Sequence, residues 1–214
     1  MYDILFDLDG TIIDSSKCIF TAYTELFKEL GLEVPESSKM RTFIGPPLKY
    51  IMKDYFPPED MPELIKRYRA IYSTIDLATH NKLYDGVIEM LDEIKKTGRK
   101  VYIATTKHEK TAKTIMNIFG VEKYLDGVYG SIDAIGRSYK KDVLEALLKE
   151  EGLDKDNVIL IGDTHFDAEG ADQVGIKTGI VTYGFLEEER LKPYKVEFFA
   201  DTPQEVAKII KERY

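Results

Sequence analysis

Three short apolar runs, each closed by a polar or small residue, punctuate the chain. They are Ile4-Leu5-Phe6 before Asp7, Val101-Tyr102-Ile103-Ala104 before Thr105, and Val158-Ile159-Leu160-Ile161 before Gly162. Runs without polar alternation suit strands buried on both faces of a parallel sheet. Between them the periodicity becomes helical: Val87-Ile88, Leu91 and Ile94 recur until Gly98, and the stretch from Thr111 to Phe119 stops at Gly120. Further short strands are predicted over 127–129 and 179–182. Residues 203–213 read as a closing helix with Asp201 or Thr202 near its cap. Alternating strand and helix predicts an α/β core, a doubly wound, Rossmann-like parallel sheet.

The interval from about Asp14 to His80 breaks that alternation. It has helical periodicity in Ile19 to Leu30 and in Leu64 to Ile75, but no buried strand pattern. Joints at Gly45-Pro46-Pro47 and Pro57-Pro58 separate its helices, and Leu83-Tyr84-Asp85-Gly86 is the expected return to the sheet. The expected organisation is a core of residues 1–14 and 81–214 with a small all-helical cap of residues 15–80. An insertion directly after the first strand hangs over the carboxyl edge of the sheet, where open α/β sheets bind ligands. Such a cap can exclude water from the site, and its lining would select the substrate.

Composition narrows the function classes. With 214 residues and 43% hydrophobic content, the chain can bury a substantial core. Its net charge of −8, without a basic stripe interleaved with aromatics, argues against nucleic acid as a partner. No apolar run is long enough for a membrane span, and the amino-terminal segment is acidic rather than signal-like. Cys18 is the only cysteine, which excludes an internal disulfide and fits a reducing compartment. The expectation is a soluble, cytoplasmic monomer or homodimer.

The polar residues that close the strands supply the chemistry. Asp7-Leu8-Asp9-Gly10-Thr11 puts two carboxylates on one side of a strand end, a costly pairing unless a cation is present. Hard oxygen donors of this kind suit Mg²⁺, and Gly10 permits a sharp turn whose amides can face phosphate oxygens. Thr105 offers a hydroxyl and an amide, with Thr106 and Lys107 next to orient the turn. Lys140, in Tyr139-Lys140-Lys141-Asp142, precedes a predicted helix over 143–148, where the helix dipole disfavours a cation. A partner elsewhere would explain it, and Lys141 can fill the same role. Gly162-Asp163-Thr164-His165-Phe166-Asp167 brings two more carboxylates to this edge, so that a divalent ion held by Asp7, Asp9 and Asp163 would relieve their repulsion. His165 is assigned no role.

These strand-end elements, in this order, resemble the four motifs of the haloacid dehalogenase superfamily. Asp7 to Thr11 is similar to motif one, Ile103-Ala104-Thr105-Thr106 to motif two, Lys140 to motif three and Gly162-Asp163 through Asp167 to motif four. Thr106 stands where many relatives carry Asn, and no Pro follows Lys140. The insertion resembles the cap of the phosphoglycolate phosphatase and β-phosphoglucomutase branch, and Phe43-Ile44-Gly45-Pro46-Pro47-Leu48 is similar to one of its cap loops. The resemblance implies a Mg²⁺-dependent phosphatase of a small phosphorylated metabolite, phosphoglycolate phosphatase-like. Asp7 would be the nucleophile and Asp9 the general acid/base. Phosphate would be held by Lys140, Thr105, Thr106 and the Asp9-Gly10-Thr11 backbone, with Asp167 behind the metal ligands. In the cap, Arg41, Lys49 and Lys53 can meet an anionic leaving group, with Gly45 in the loop beside them. A sugar phosphate mutase, a nucleotidase and a pyrophosphatase share these motifs. A dehalogenase lacks the second Asp, and a phosphoaccepting receiver domain usually places its acceptor on a middle strand.

Overall fold

The computed structural model describes every residue except Asp54, Pro58 and Glu59, so the second half of the Pro57-Pro58 joint lies outside the described residues. Strand β1 (Asp3–Phe6) leads through the two-residue β2 (Ile13–Asp14) into five helices: α1 (Ser16–Glu29), α2 (Ser37–Arg41), α3 (Leu48–Met52), α4 (Met61–Thr74) and α5 (Leu77–His80). The chain returns through β3 (Lys82–Leu83) to α6 (Val87–Lys95), β4 (Val101–His108), α7 (Glu109–Ile118) and β5 (Gly127–Ser131). It closes with α8 (Lys140–Glu151), β6 (Val158–Gly162), α9 (His165–Val174), β7 (Lys177–Val181), β8 (Phe199–Ala200) and α10 (Pro203–Arg213).

Six strands form one parallel sheet in the order β5-β4-β1-β6-β7-β8. Successive side chains leave its opposite faces, so each apolar run feeds two cores. Ile4, Phe6, Ile103 and Ile161 pack with α6, α7 and α10, whereas Leu5, Tyr102, Ala104 and Leu160 pack with α8 and α9. Both faces are covered, which is why these strands read as unbroken apolar stretches. From β1 the chain builds outward to β4 and β5, then crosses back to β6 on the other side. The crevice at the carboxyl end of β1 is thus the topological switch point at which such sheets bind ligands.

Helices α1 to α5 pack around a separate cluster that includes Cys18, Tyr23, Leu26, Phe27, Met52 and Leu64. The two linkers to the sheet pair with each other, Ile13 opposite Leu83 and Asp14 opposite Lys82 in antiparallel register. No helix among the described residues is long and apolar enough to cross a membrane. Beyond the predicted elements, the structure adds β8, α9, the β2–β3 pair and the short helices α2, α3 and α5. Lys140 opens α8 rather than preceding it, because the Asp142 carboxylate accepts the Ser138 and Tyr139 amides and so starts the helix early.

Strand β4 runs four residues past Ala104, and its register against β5 shifts between Ala104 and His108. A bulge of this kind bends the strand and re-aims its side chains, here those of Thr105, Thr106 and Lys107 at the sheet edge. Gly130 on β5 allows it: a Cβ there would lie 2.5 Å from the Lys107 carbonyl oxygen and 2.6 Å from the Glu109 Cα. Both neighbours are backbone and cannot rotate away. Gly130→Ala is therefore expected to destabilise the protein by about 1–3 kcal/mol, as overpacking does. A chain of this size loses roughly 2–4 °C per kcal/mol, so thermal melting reads the effect, and an unchanged midpoint would contradict the contact.

Candidate active site

Past the end of β1 the chain turns sharply. The Leu8 carbonyl accepts the amides of Thr11, Ile12 and Ile13 at 3.3, 3.0 and 3.0 Å, and the Gly10 amide donates to the Ile13 carbonyl at 2.8 Å. Gly10 adopts φ +86°, and a Cβ there would lie 2.0 Å from an Asp163 carboxylate oxygen, so only glycine fits. The amides of Gly10 and Thr11, expected to face a phosphate, are consumed in closing this loop. Their contribution is its shape, to which Thr11 adds a long hydroxyl contact of 3.4 Å with Asp163 Oδ1.

The loop directs Asp7 inward, 2% exposed, beside the carboxylates of Asp163 and Asp167, both fully buried. Oxygens of these three lie within 4.8 Å of one another. Asp163 Oδ2 accepts the Phe185 amide at 2.7 Å. Asp167 Oδ2 accepts the Thr164 amide at 3.1 Å and the Thr164 hydroxyl at 3.0 Å, fastening the first turn of α9. One ammonium answers the cluster: Lys140 Nζ lies 2.8 Å from Asp7 Oδ1, 2.7 Å from Asp167 Oδ1 and 3.0 Å from the Ala104 carbonyl oxygen that accepts its hydrogen bond. Lys140 rather than Lys141 reaches the cluster, since Lys141 is half exposed and pairs with Glu145.

Asp9 goes elsewhere. Its carboxylate meets Lys107 Nζ at 2.9 and 3.1 Å, and that ammonium lies 5.0 Å from the Tyr72 ring centroid. Of the expected metal ligands Asp7, Asp9 and Asp163, the first and last converge. Asp167, expected behind them, takes the third place. Thr105 is buried and its hydroxyl accepts the Lys107 amide at 3.2 Å, which leaves its proton for another acceptor. The Thr106 hydroxyl, expected on phosphate, donates instead to the Gly45 carbonyl at 2.9 Å and ties β4 to the loop before α3. A cavity of about 450 Å³ opens between the helical layer and the sheet, with Asp9, Gly45, Thr106 and Lys107 among its lining residues. Arg41 does not line it; its guanidinium sits 5.5 Å from the Phe185 ring centroid. Lys107 as the partner of Asp9 is the residue that sequence reasoning missed, since the bulge that turns it inward leaves no mark in the hydrophobic pattern.

Three buried carboxylates against one buried ammonium leave two negative charges uncompensated. Burial, with a neighbouring carboxylate adding to it, pushes Asp7 up to about 6 and Asp163 well above the usual carboxylate range. Asp7 Oδ1 and Asp167 Oδ1 face Lys140 without a well-aligned hydrogen bond. A divalent cation with a preference for hard oxygen donors fits this set, and Asp7, Asp163 and Asp167 would hold it. Lys140→Met leaves the carboxylates without their ammonium, and breaking a buried pair costs roughly 3–5 kcal/mol. The expected result is a lowered melting temperature in chelator that Mg²⁺ partly restores; equal melting of variant and parent in chelator would refute the pairing.

Residues 4–181 match the family model described as haloacid dehalogenase-like hydrolase. The chain is 32% identical to tyrosine-protein kinase PtkA of Mycobacterium tuberculosis over 182 residues, 85% of this chain and 62% of that protein, so it spans less than two thirds of that relative's length. It is 32% identical to a 5'-nucleotidase of Pseudomonas aeruginosa over 195 residues, 90% of this chain and 88% of the relative. The crystal structure of a predicted phosphatase from Clostridium acetobutylicum superposes with a TM-score of 0.92 at 32% identity, covering 99% of both chains. With its sheet order, its strand-end residues and these matches in agreement, the chain belongs to the haloacid dehalogenase-like hydrolase family.

Proposed function

We propose that this chain is a Mg²⁺-dependent phosphomonoester hydrolase that forms an aspartyl phosphate on Asp7 and acts on a small phosphorylated metabolite, with residues 15–80 as a phosphoglycolate phosphatase-like cap. The observation that supports it is the buried cluster of Asp7, Asp163, Asp167 and Lys140, in excess of negative charge, at the switch point of the sheet. The metal would neutralise the phosphoryl oxygens so that a carboxylate can approach them. An Asp7 oxygen attacks phosphorus in line as the bond to the leaving oxygen breaks, and Asp9 delivers the proton that makes the leaving group an alcohol. Water deprotonated by Asp9 then attacks the acyl phosphate, releasing phosphate and restoring the Asp7 carboxylate. Lys140 and Thr105 line the path of the transferred oxygens as donors and need no rearrangement during reaction.

Lys107 bears on the two duties of Asp9. It approaches both carboxylate oxygens, so a leaving oxygen can displace it from one while the other stays held. The scheme predicts that Asp7→Asn abolishes metal-dependent phosphate release. Asp9→Asn should lower kcat by roughly 10²–10⁴-fold and accumulate acid-stable phosphoenzyme in a rapid quench, because acid/base help is lost in both steps. Full activity of either variant would sink the scheme. Release of free phosphate, rather than an isomerised sugar phosphate, identifies the hydrolase outcome.

A further inference from the structure

The cavity above Asp9 is built for a particular kind of leaving group. Four rings run in sequence along its cap side: Phe43 to Tyr23 at 4.8 Å between centroids, Tyr23 to Tyr68 at 4.8 Å, and Tyr68 to Tyr72 at 5.9 Å. The last ring lies 5.0 Å from the Lys107 ammonium, which in turn contacts Asp9, so the aromatic wall begins at the proposed proton donor. Ile19, Ile65 and Leu77 line the same space.

Size argues against the smallest substrates. Allowing each heavy atom about 30 Å³, the share of one water molecule in the liquid, the five heavy atoms of glycolate take ~150 Å³. The cavity holds about 450 Å³, within the range that encloses drug-sized ligands. Charge argues against anionic leaving groups. The two part-buried cations on its walls are both committed, Lys107 to Asp9 and Arg69 to Asp133, while Lys49 and Lys110 are exposed. A second phosphate or a carboxylate would have to compete with those two pairs or be met by the exposed Lys49 and Lys110. Four of the lining hydroxyls already spend their protons on the protein, whereas the buried Tyr72 hydroxyl has no hydrogen-bond partner. Ser73 donates to the Ala70 carbonyl, Thr106 to the Gly45 carbonyl, Thr114 to the Lys110 carbonyl and Ser138 to Asp133. A flat ring with apolar faces suits stacking against tyrosine and phenylalanine and asks for few hydrogen bonds.

We propose that the cavity selects phosphomonoesters whose leaving group is an uncharged aromatic ring system, as in an aryl alcohol or a nucleoside, with the Phe43-Tyr23-Tyr68-Tyr72 wall as the specificity-determining surface. The proposal rests on the phosphatase reading above. Its test compares kcat/KM with Mg²⁺ for p-nitrophenyl phosphate and adenosine 5'-monophosphate against phosphoglycolate, pyrophosphate and glucose 6-phosphate. At least one ring-bearing compound is expected to exceed all three others by tenfold or more, and which one does so separates the aryl from the nucleoside source. Ser73→Trp, which fills the cavity from α4, should lower the ratio of the preferred ring-bearing substrate to phosphoglycolate by at least tenfold. The chain has no tryptophan and 14 tyrosines, so p-nitrophenol or adenosine should quench the tyrosine emission of unmodified protein saturably, and glycolate should not. Phosphoglycolate, pyrophosphate or glucose 6-phosphate equal to or better than both ring-bearing compounds overturns the substrate class while leaving the phosphatase reading intact. Absence of metal-dependent release from every compound overturns that reading too.

Discussion

Three carboxylates buried around one ammonium are the constraint to which the rest of the molecule answers. Asp7, Asp163 and Asp167 lose their hydration, and a single lysine meets two of them. An arrangement this costly persists only when the surrounding structure over-determines it. The parallel pairing of β1 with β6, Phe6 beside Ile161, brings Asp7 level with the Gly162-Asp163 turn. Lys140 enters from the first residue of α8, held to β4 through the Ala104 carbonyl. Asp167 gives one oxygen to the cluster and the other to the first turn of α9, so that the helix cannot form without placing the carboxylate. Each element of the sheet edge thus serves both a local hydrogen-bonding need and the cluster.

Asp7 and Asp9 are separated by one leucine, yet they inhabit different electrostatic surroundings. Asp7 lies in the cluster, where burial dominates and the nearby carboxylates add to it. Asp9 lies past the strand, at the Gly10 turn, with its own cation. That separation is what a two-step reaction asks of a carboxylate pair: one held rigid beside the metal donors, one able to exchange a proton with a ligand in the cavity. The bulge in β4 supplies it, because a regular strand would hold Thr105 and Lys107 on one face of the sheet with Thr106 on the other, and the register shift re-aims them.

Most of the fold was legible because burial on both faces leaves a plain trace: the apolar runs before Asp7, Thr105 and Gly162 are the strands β1, β4 and β6. Asp7, Asp163 and Lys140 were legible for a related reason, since polar residues that terminate buried strands share one edge. What was not legible depends on geometry at the scale of a single residue. The exchange of Asp9 for Asp167 among the converging carboxylates comes from the turn at Gly10, the capture of Thr106 by Gly45 from the approach of the cap loop, and the role of Lys107 from the bulge. None of these alters a hydrophobic period. Helix α9 escaped notice because its sequence, His165 to Val174, interleaves acidic and small residues, and its stability comes from the Thr164–Asp167 capping box and its contacts with α8 rather than an apolar stripe.

Among the described residues, the helical layer and the sheet meet through contacts that include Thr106 with Gly45, Tyr50 edge-on to Phe166 at 5.4 Å, Arg69 with Asp133, Arg41 with Phe185, Tyr72 with Lys107, and Phe185 inserted into the cap cluster. Each layer otherwise has its own core, and the β2–β3 pair joins them through two residues on each side. Lifting the layer about that joint would open the cavity to a substrate too large to diffuse through a closed seam. The four residues of the charged cluster all belong to the sheet side, tied to the layer through Phe185, whose amide donates to Asp163 while its ring packs in the cap cluster. The contact that would change is the one between Tyr72 on α4 and the ammonium of Lys107, and through it the surroundings of Asp9. Closure of the layer therefore acts on the proposed acid/base through Tyr72 and Lys107, which couples proton transfer to the presence of a substrate that lets the layer close.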